Sequence, residues 1–376
     1  MFPLNKGITT PQAHVNIPDG LYEEELGRDG FYGPVTHLYH QHPPTGWTRI
    51  EGPLKPHAID GNKITGNPSS ADAISSRTPV LFNEDVTLHV CKPGTPMDYY
   101  FRNADADEVY FIHRGQGVIE TDFGPLQYEP GDYIVLPRGT TYRISPDPDK
   151  GKHFFLLIES YSRIRQPDRG MLGQHALYDP GVIKTPTPDL SISAKESRPE
   201  WELKIQRQQQ LTSVFYPFNP INVVGWKGDL TVWQLNVRDI CPVLSHKAHL
   251  PPSVHTTFLA RGFVICSFLP RPLETAPGAE KVPFYHRNID YDEVLFYHDG
   301  DFFSREGIDT GMFTFHPQGI HHGPHPGAVE ASKHKTETNE VAVMVDTQKP
   351  LQLSEQAKAC EWPGYAMSWQ PKTHSK

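Results

Sequence analysis

The chain has 376 residues and a formal net charge of −9 at pH 7. That balance gives no electrostatic reason to expect a nucleic acid or an anionic membrane as partner. Its 37 prolines and 30 glycines interrupt short runs rich in Val, Ile, Tyr and Phe, which favours many strands and turns over long helices. The length allows one large core or two ordinary ones. The first six residues have no apolar h-region, and no later run approaches membrane-spanning length. Cys91, Cys241, Cys266 and Cys360 are widely spaced and form no CxxC pair, as expected of buried thiols in a reducing compartment. A cytoplasmic β protein is predicted.

In chain order, residues up to about 80 are Pro-rich and aromatic and are expected to form extra strands and loops around a first barrel. Next comes a block from Phe101 through Asn103 to Glu108, with Gly115 seven residues after the Glu. A second block has Gly131, Pro137, Gly139 and Tyr142 at fixed spacing. A polar segment follows, with Glu202–Gln210 read as a helix candidate. Both blocks then recur. His286, Asn288, Glu293 and Gly300 match Phe101, Asn103, Glu108 and Gly115, and Gly311, Pro317, Gly319 and His322 match the later set. Each block reads as strand, hairpin and strand, with glycine where tight turns need positive φ. The repeat predicts an all-β bicupin: two jelly-roll β-barrels with a few short helices. The division expected is 1–165 for the degenerate first barrel, 166–212 for a polar crossover and 213–376 for the barrel that binds metal.

Two histidines and one carboxylate at His286, Glu293 and His322 form the facial set by which a divalent iron keeps open positions for substrate and O₂. The first copy, with Phe101 and Tyr142, cannot. His321 adjoins His322, but adjacent strand residues point to opposite faces, and the Pro-x-Gly-x-x-His register selects His322. His325 is close enough for loop geometry to bring it near a substrate.

The pattern H-x-N-x(4)-E-x(6)-G followed by G-x(5)-P-x-G-x(2)-H resembles the two cupin motifs, with Asn288 in place of the usual second histidine. Tyr285–Asn288, the block from His316 to His322, Phe218–Gly228, His249 with Pro252–Val254, and Cys360–Pro363 resemble homogentisate 1,2-dioxygenase. The resemblance spans most of the chain and is strongest from about residue 215 onward.

That resemblance implies Fe(II) held by His286, Glu293 and His322. It also implies His249 as the base that takes a phenolic proton, and His316 near the oxygen or a ring hydroxyl. The interval from His286 to Glu293 is one residue longer than in the animal enzymes, which leaves Asp292 as an alternative carboxylate. Phe302 stands where the family has a substrate-contacting tyrosine, so the substrate is open. Tyr291 or Tyr297 could compensate, and Arg287 beside the ligand could meet a substrate carboxylate. The expected reaction is homogentisate plus O₂ to maleylacetoacetate. Gentisate or another hydroquinone acid, a metal-binding bicupin without turnover, and a Zn- or Mn-dependent cupin isomerase are the alternatives. Family members are trimers and hexamers, so a homo-oligomer is implied.

Overall fold

The computed structural model describes residues 4–64, 71–191, 194, 196–281 and 283–370. Within it the two repeat blocks fold alike. Asp107–Arg114 pairs antiparallel with Asp132–Leu136, and Asp292–Asp299 with Met312–His316. Gly115 and Gly300 hold φ of +92° and +97°, a region open to glycine and costly for other residues. Asn103 and Asn288 close the same turn: the Asn103 side-chain oxygen accepts from the backbone N–H of Asp105 and Ala106, and that of Asn288 from Asp290 and Tyr291. Asn288 thus keeps a turn-forming role at the position of the usual second histidine.

The first barrel is a seven-stranded sheet facing a six-stranded one. Cys91, Phe101, Tyr110, Ile119, Tyr142 and Phe155 fill the space between them. The second barrel combines a six-stranded sheet with a three-stranded one. Another apolar layer joins the barrels, where Phe111, Tyr133 and Phe154 meet Phe258, Phe296 and Phe313. Within it His113 Nδ1 lies 2.9 Å from His298 Nδ1. Burial pushes His113 down to about 2 and His298 down to about 4. The all-β, two-barrel reading therefore holds. Two short α-helices, Pro326–Ser332 and Glu355–Ala359, complete it, and no described helix is long and apolar enough to cross a membrane.

Three expectations need correction. The N-terminal region up to His57–Asp60 does not wrap the first barrel. Tyr22–Gly27 pairs parallel with Tyr285–Asn288, Val35–His40 extends that sheet, and His57–Asp60 pairs with Met312–His316, so this region builds the second barrel. Near the other end, Gln352–Leu353 pairs with Thr78–Phe82 of the first barrel. The barrels are thus not contiguous in sequence. Second, residues 202–210 are not helical: Trp201–Arg207 and Gln210–Tyr216 form a hairpin that joins the first barrel through Tyr100–Asn103. Gln208 and Gln209 take φ of +51° and +59° at its tip, as a two-residue hairpin requires, and their N–H groups donate to the Asp105 carboxylate at 2.7 and 3.0 Å. That carboxylate compensates for the absence of an Asn-Gly pair. Third, Cys91 and Cys266 are buried, but Cys241 is exposed.

Candidate metal centre and its cavity

Strand alternation decides which carboxylate faces the centre. Asp292 points away and accepts from the backbone N–H of Gln318 (2.8 Å) and Leu351 (2.7 Å). Its repeat equivalent Asp107 accepts from Arg138 and Ile164, both at 2.8 Å. Asp292 is therefore a turn anchor, and Glu293 enters the barrel. His286 and His322 exchange backbone hydrogen bonds of 2.9 and 3.0 Å, which places their side chains on one face. The three side chains meet: Glu293 Oε2 lies 3.6 Å from His286 Nε2, and Oε1 lies 3.5 Å from His322 Nε2.

The donor set fits a divalent ion. His286 Nδ1 donates to the Phe284 carbonyl at 3.1 Å, which leaves the Nε2 lone pair facing inward. The Nε2 atoms of both His286 and His322 are buried without a hydrogen-bond partner, an arrangement that costs free energy unless something ligates them. Burial, with the neighbouring His286 ring, pushes His322 down to about 3, so its ring is neutral and able to coordinate. Burial opposes charge on Glu293, yet the facing His322, His286 and His316 rings hold its carboxyl well below the usual range. Two imidazoles and a carboxylate are an iron-type set, and other divalent ions would accept it too.

His316 is fully buried, with Nδ1 2.7 Å from Glu293 Oε1 and Nε2 2.9 Å from the Tyr365 hydroxyl. Both ring nitrogens are engaged, so it orients the Glu293 carboxylate and does not face the cavity. Tyr365, unremarked in the sequence, completes that chain.

A cavity of about 100 Å³ reaches the centre at His286 and Glu293. His249 lines it, with Nδ1 2.9 Å from Glu274 Oε1 and Nε2 buried and unpartnered. Glu274 was missed because a lone acidic residue between Leu273 and Thr275 carries no motif. Arg305, Arg271, Lys281 and Glu340 also line the cavity, and no spacing rule singles them out. Arg305 is buried and donates to the Gly323 carbonyl at 2.9 Å, with its Nε unpartnered. The other sequence candidates lie elsewhere. Arg287 points to the opposite face and pairs with Glu24 at 3.2 Å, so it does not line the cavity. His321 lies 3.1 Å from the same Glu24. His325 accepts from the Glu306 N–H at 2.6 Å and caps a structural contact. Phe302 packs edge-on against Tyr297, which does line the cavity but directs its hydroxyl to Thr314 at 3.0 Å. Tyr291 meets Gln348.

Residues 56–237 match the family described as homogentisate 1,2-dioxygenase N-terminal. The chain is 34% identical to a protein of Saccharolobus solfataricus named as a putative dioxygenase, over 94% of this chain and 95% of that one. It is 26% identical to the homogentisate 1,2-dioxygenase of Pseudomonas savastanoi pv. phaseolicola, over 94% of this chain and 87% of that one. Among solved structures, a cupin 2 conserved barrel domain protein from Leptotrichia buccalis is similar at TM-score 0.36 and 11% identity, covering 78% of this chain and 96% of that one. On the near-full-length match, this chain belongs to the homogentisate 1,2-dioxygenase family and so to the ring-cleaving dioxygenases.

Proposed function

We propose that the chain is an Fe(II)-dependent dioxygenase that cleaves the ring of homogentisate to give maleylacetoacetate. The observation that carries it is the convergence of His286 Nε2, His322 Nε2 and Glu293 at one end of a cavity whose wall carries the His249–Glu274 pair. Iron(II), held by those three side chains, would supply open positions and electrons through which an electron-rich ring and O₂ react. Both oxygen atoms enter the product as the ring opens beside the acetate-bearing carbon.

His249 Nε2 takes the proton of a ring hydroxyl, and Glu274 holds Nδ1–H and stabilises the imidazolium that results. The carboxylate of the substrate has a buried cationic partner in Arg305, with Arg271 and Lys281 further along the wall. His316 and Tyr365 fix the Glu293 carboxylate. Burial of the apolar lining at Phe268, Leu295 and Met344 excludes water. A homo-oligomer, trimeric or hexameric, belongs to the same proposal, and light scattering checks it.

A second reading keeps the chemistry and changes the ring acid to gentisate or a related hydroquinone. Phe302 brings no hydroxyl, and the nearby Tyr297 hydroxyl is already occupied by Thr314. Oxygen uptake by anaerobically purified, Fe(II)-loaded protein separates the cases, with His322→Ala as control. Uptake with homogentisate and a dead variant supports the proposal. Uptake with gentisate alone moves the substrate, and no uptake with either despite bound iron replaces turnover with binding.

A further inference from the structure

A second group of ligand-type side chains lies on the N-terminal hairpin. His14, Glu25 and His37 bring one ligand atom each to within 4.8 Å of one another. Glu25 and His37 are cross-strand partners, with His37 Nε2 3.2 Å and His14 Nε2 3.8 Å from Glu25 Oε2. The other nitrogen of His14, Nδ1, lies 2.9 Å from Glu23 Oε1, and Glu23 is only 1% exposed. A histidine whose far nitrogen meets a carboxylate is the usual support for a metal-binding imidazole. The group is separate from the Glu293 centre, because the Phe284 ring stacks on His14 at 4.4 Å and meets His286 at 5.3 Å.

Charge and burial both favour an occupant. Glu280 Oε2 is also 3.8 Å from His14 Nδ1, but burial pushes its carboxyl up to about 8, so Glu23 and Glu25 are the carboxylates that face the two imidazoles. Among the described residues none of Glu23, Glu25 and Glu280 has a Lys or Arg as ion-pair partner. Glu23 Oε2 and Glu280 Oε2 are buried without hydrogen bonds. His14 itself holds φ of +63°, a strained conformation for a residue with a side chain, and that conformation delivers its ring to the hairpin. Proteins keep such positions where a side chain must be placed.

We propose that this chain holds a second divalent transition-metal ion through Nε2 of His14, Nε2 of His37 and Oε2 of Glu25, with Glu23 accepting Nδ1–H of His14. The ion ties the incoming N-terminal segment to the hairpin that forms one wall of the second barrel.

Zinc is the probe, and metal content after chelation, reloading and desalting is the measurement. Two zinc ions per chain are expected in the unmodified protein, one in His37→Gln and one in His286→Ala. In the His286→Ala background, which removes the first centre, chelator should still lower Tm. One zinc in the unmodified protein, or two retained in a folded His37→Gln, overturns the site. Glu25→Gln, nearly isosteric, decides the question in the same way if His37→Gln does not fold. Failure of the dioxygenase reading would appear as absent oxygen uptake and would leave the zinc count in His286→Ala unchanged.

Discussion

In the first barrel Glu108 occupies the position that Glu293 holds in the second, and the two carboxylates meet opposite company. The Arg77 guanidinium lies 2.6 Å from Glu108 Oε1 and 2.7 Å from the Tyr142 hydroxyl, and it covers the Phe101 ring at 5.0 Å. Tyr142 also donates to Glu108 at 2.7 Å, and Asn103 at 3.2 Å. Glu293 has ion pairs only with His286, His316 and His322 among the described residues, and two of those rings turn an unpartnered nitrogen inward. Both barrels bury an acid that needs a positive partner. The first answers with a cation from its own chain, the second with a donor set shaped for a metal ion. The first barrel therefore differs from the second by more than two histidines, because an arginine pairs with the carboxylate where the second barrel presents two imidazoles.

The largest effect expected from breaking this contrast is His322→Ala, which leaves one imidazole and one carboxylate. Oxygen uptake should fall below detection and iron content with it, measured by electrode and by metal analysis. Next is Arg77→Met, which leaves Glu108 buried without its cation. A loss of about 3–5 kcal/mol is expected in urea unfolding, and Arg77→Met with Glu108→Gln should regain part of it. Equal loss in single and double variants would mean that packing, not charge, dominates. Glu274→Gln should lower kcat by about 10- to 100-fold with iron content unchanged. Unchanged kcat would count against the pair.

The smallest effect concerns the contact between the barrels. Burial disfavours the charged rings of His113 and His298 and pushes them down to about 2 and about 4, below the unfolded value near 6.5. Their contribution is complete above about pH 6.5, and it declines as pH falls toward 4 while the unfolded chain takes up protons. Tm measured across that window should fall, and His298→Phe should flatten the slope.

The repeat, its glycine turns and the inward-facing positions were legible in sequence, because strand alternation and positive-φ turns are local constraints. They select Glu293 over Asp292 and His322 over His321 without reference to distant residues. The pairing of Glu25 with His286 and of His57–Asp60 with Met312–His316 could not be read, since it joins segments separated by most of the chain. The same holds for Arg77, Glu274, Arg305 and Tyr365. Each is an ordinary residue in its own stretch and acquires a role only when another segment brings it a buried charge. Arg287 shows the converse: its place beside a ligand suggested substrate contact, and strand alternation turned it to the far face toward Glu24. Sequence alone thus determined the two barrels and the register that turns His286, Glu293 and His322 inward, both products of short-range backbone geometry. Tertiary structure decided which charges are buried together, because burial and Coulomb attraction depend on distance in space rather than along the chain.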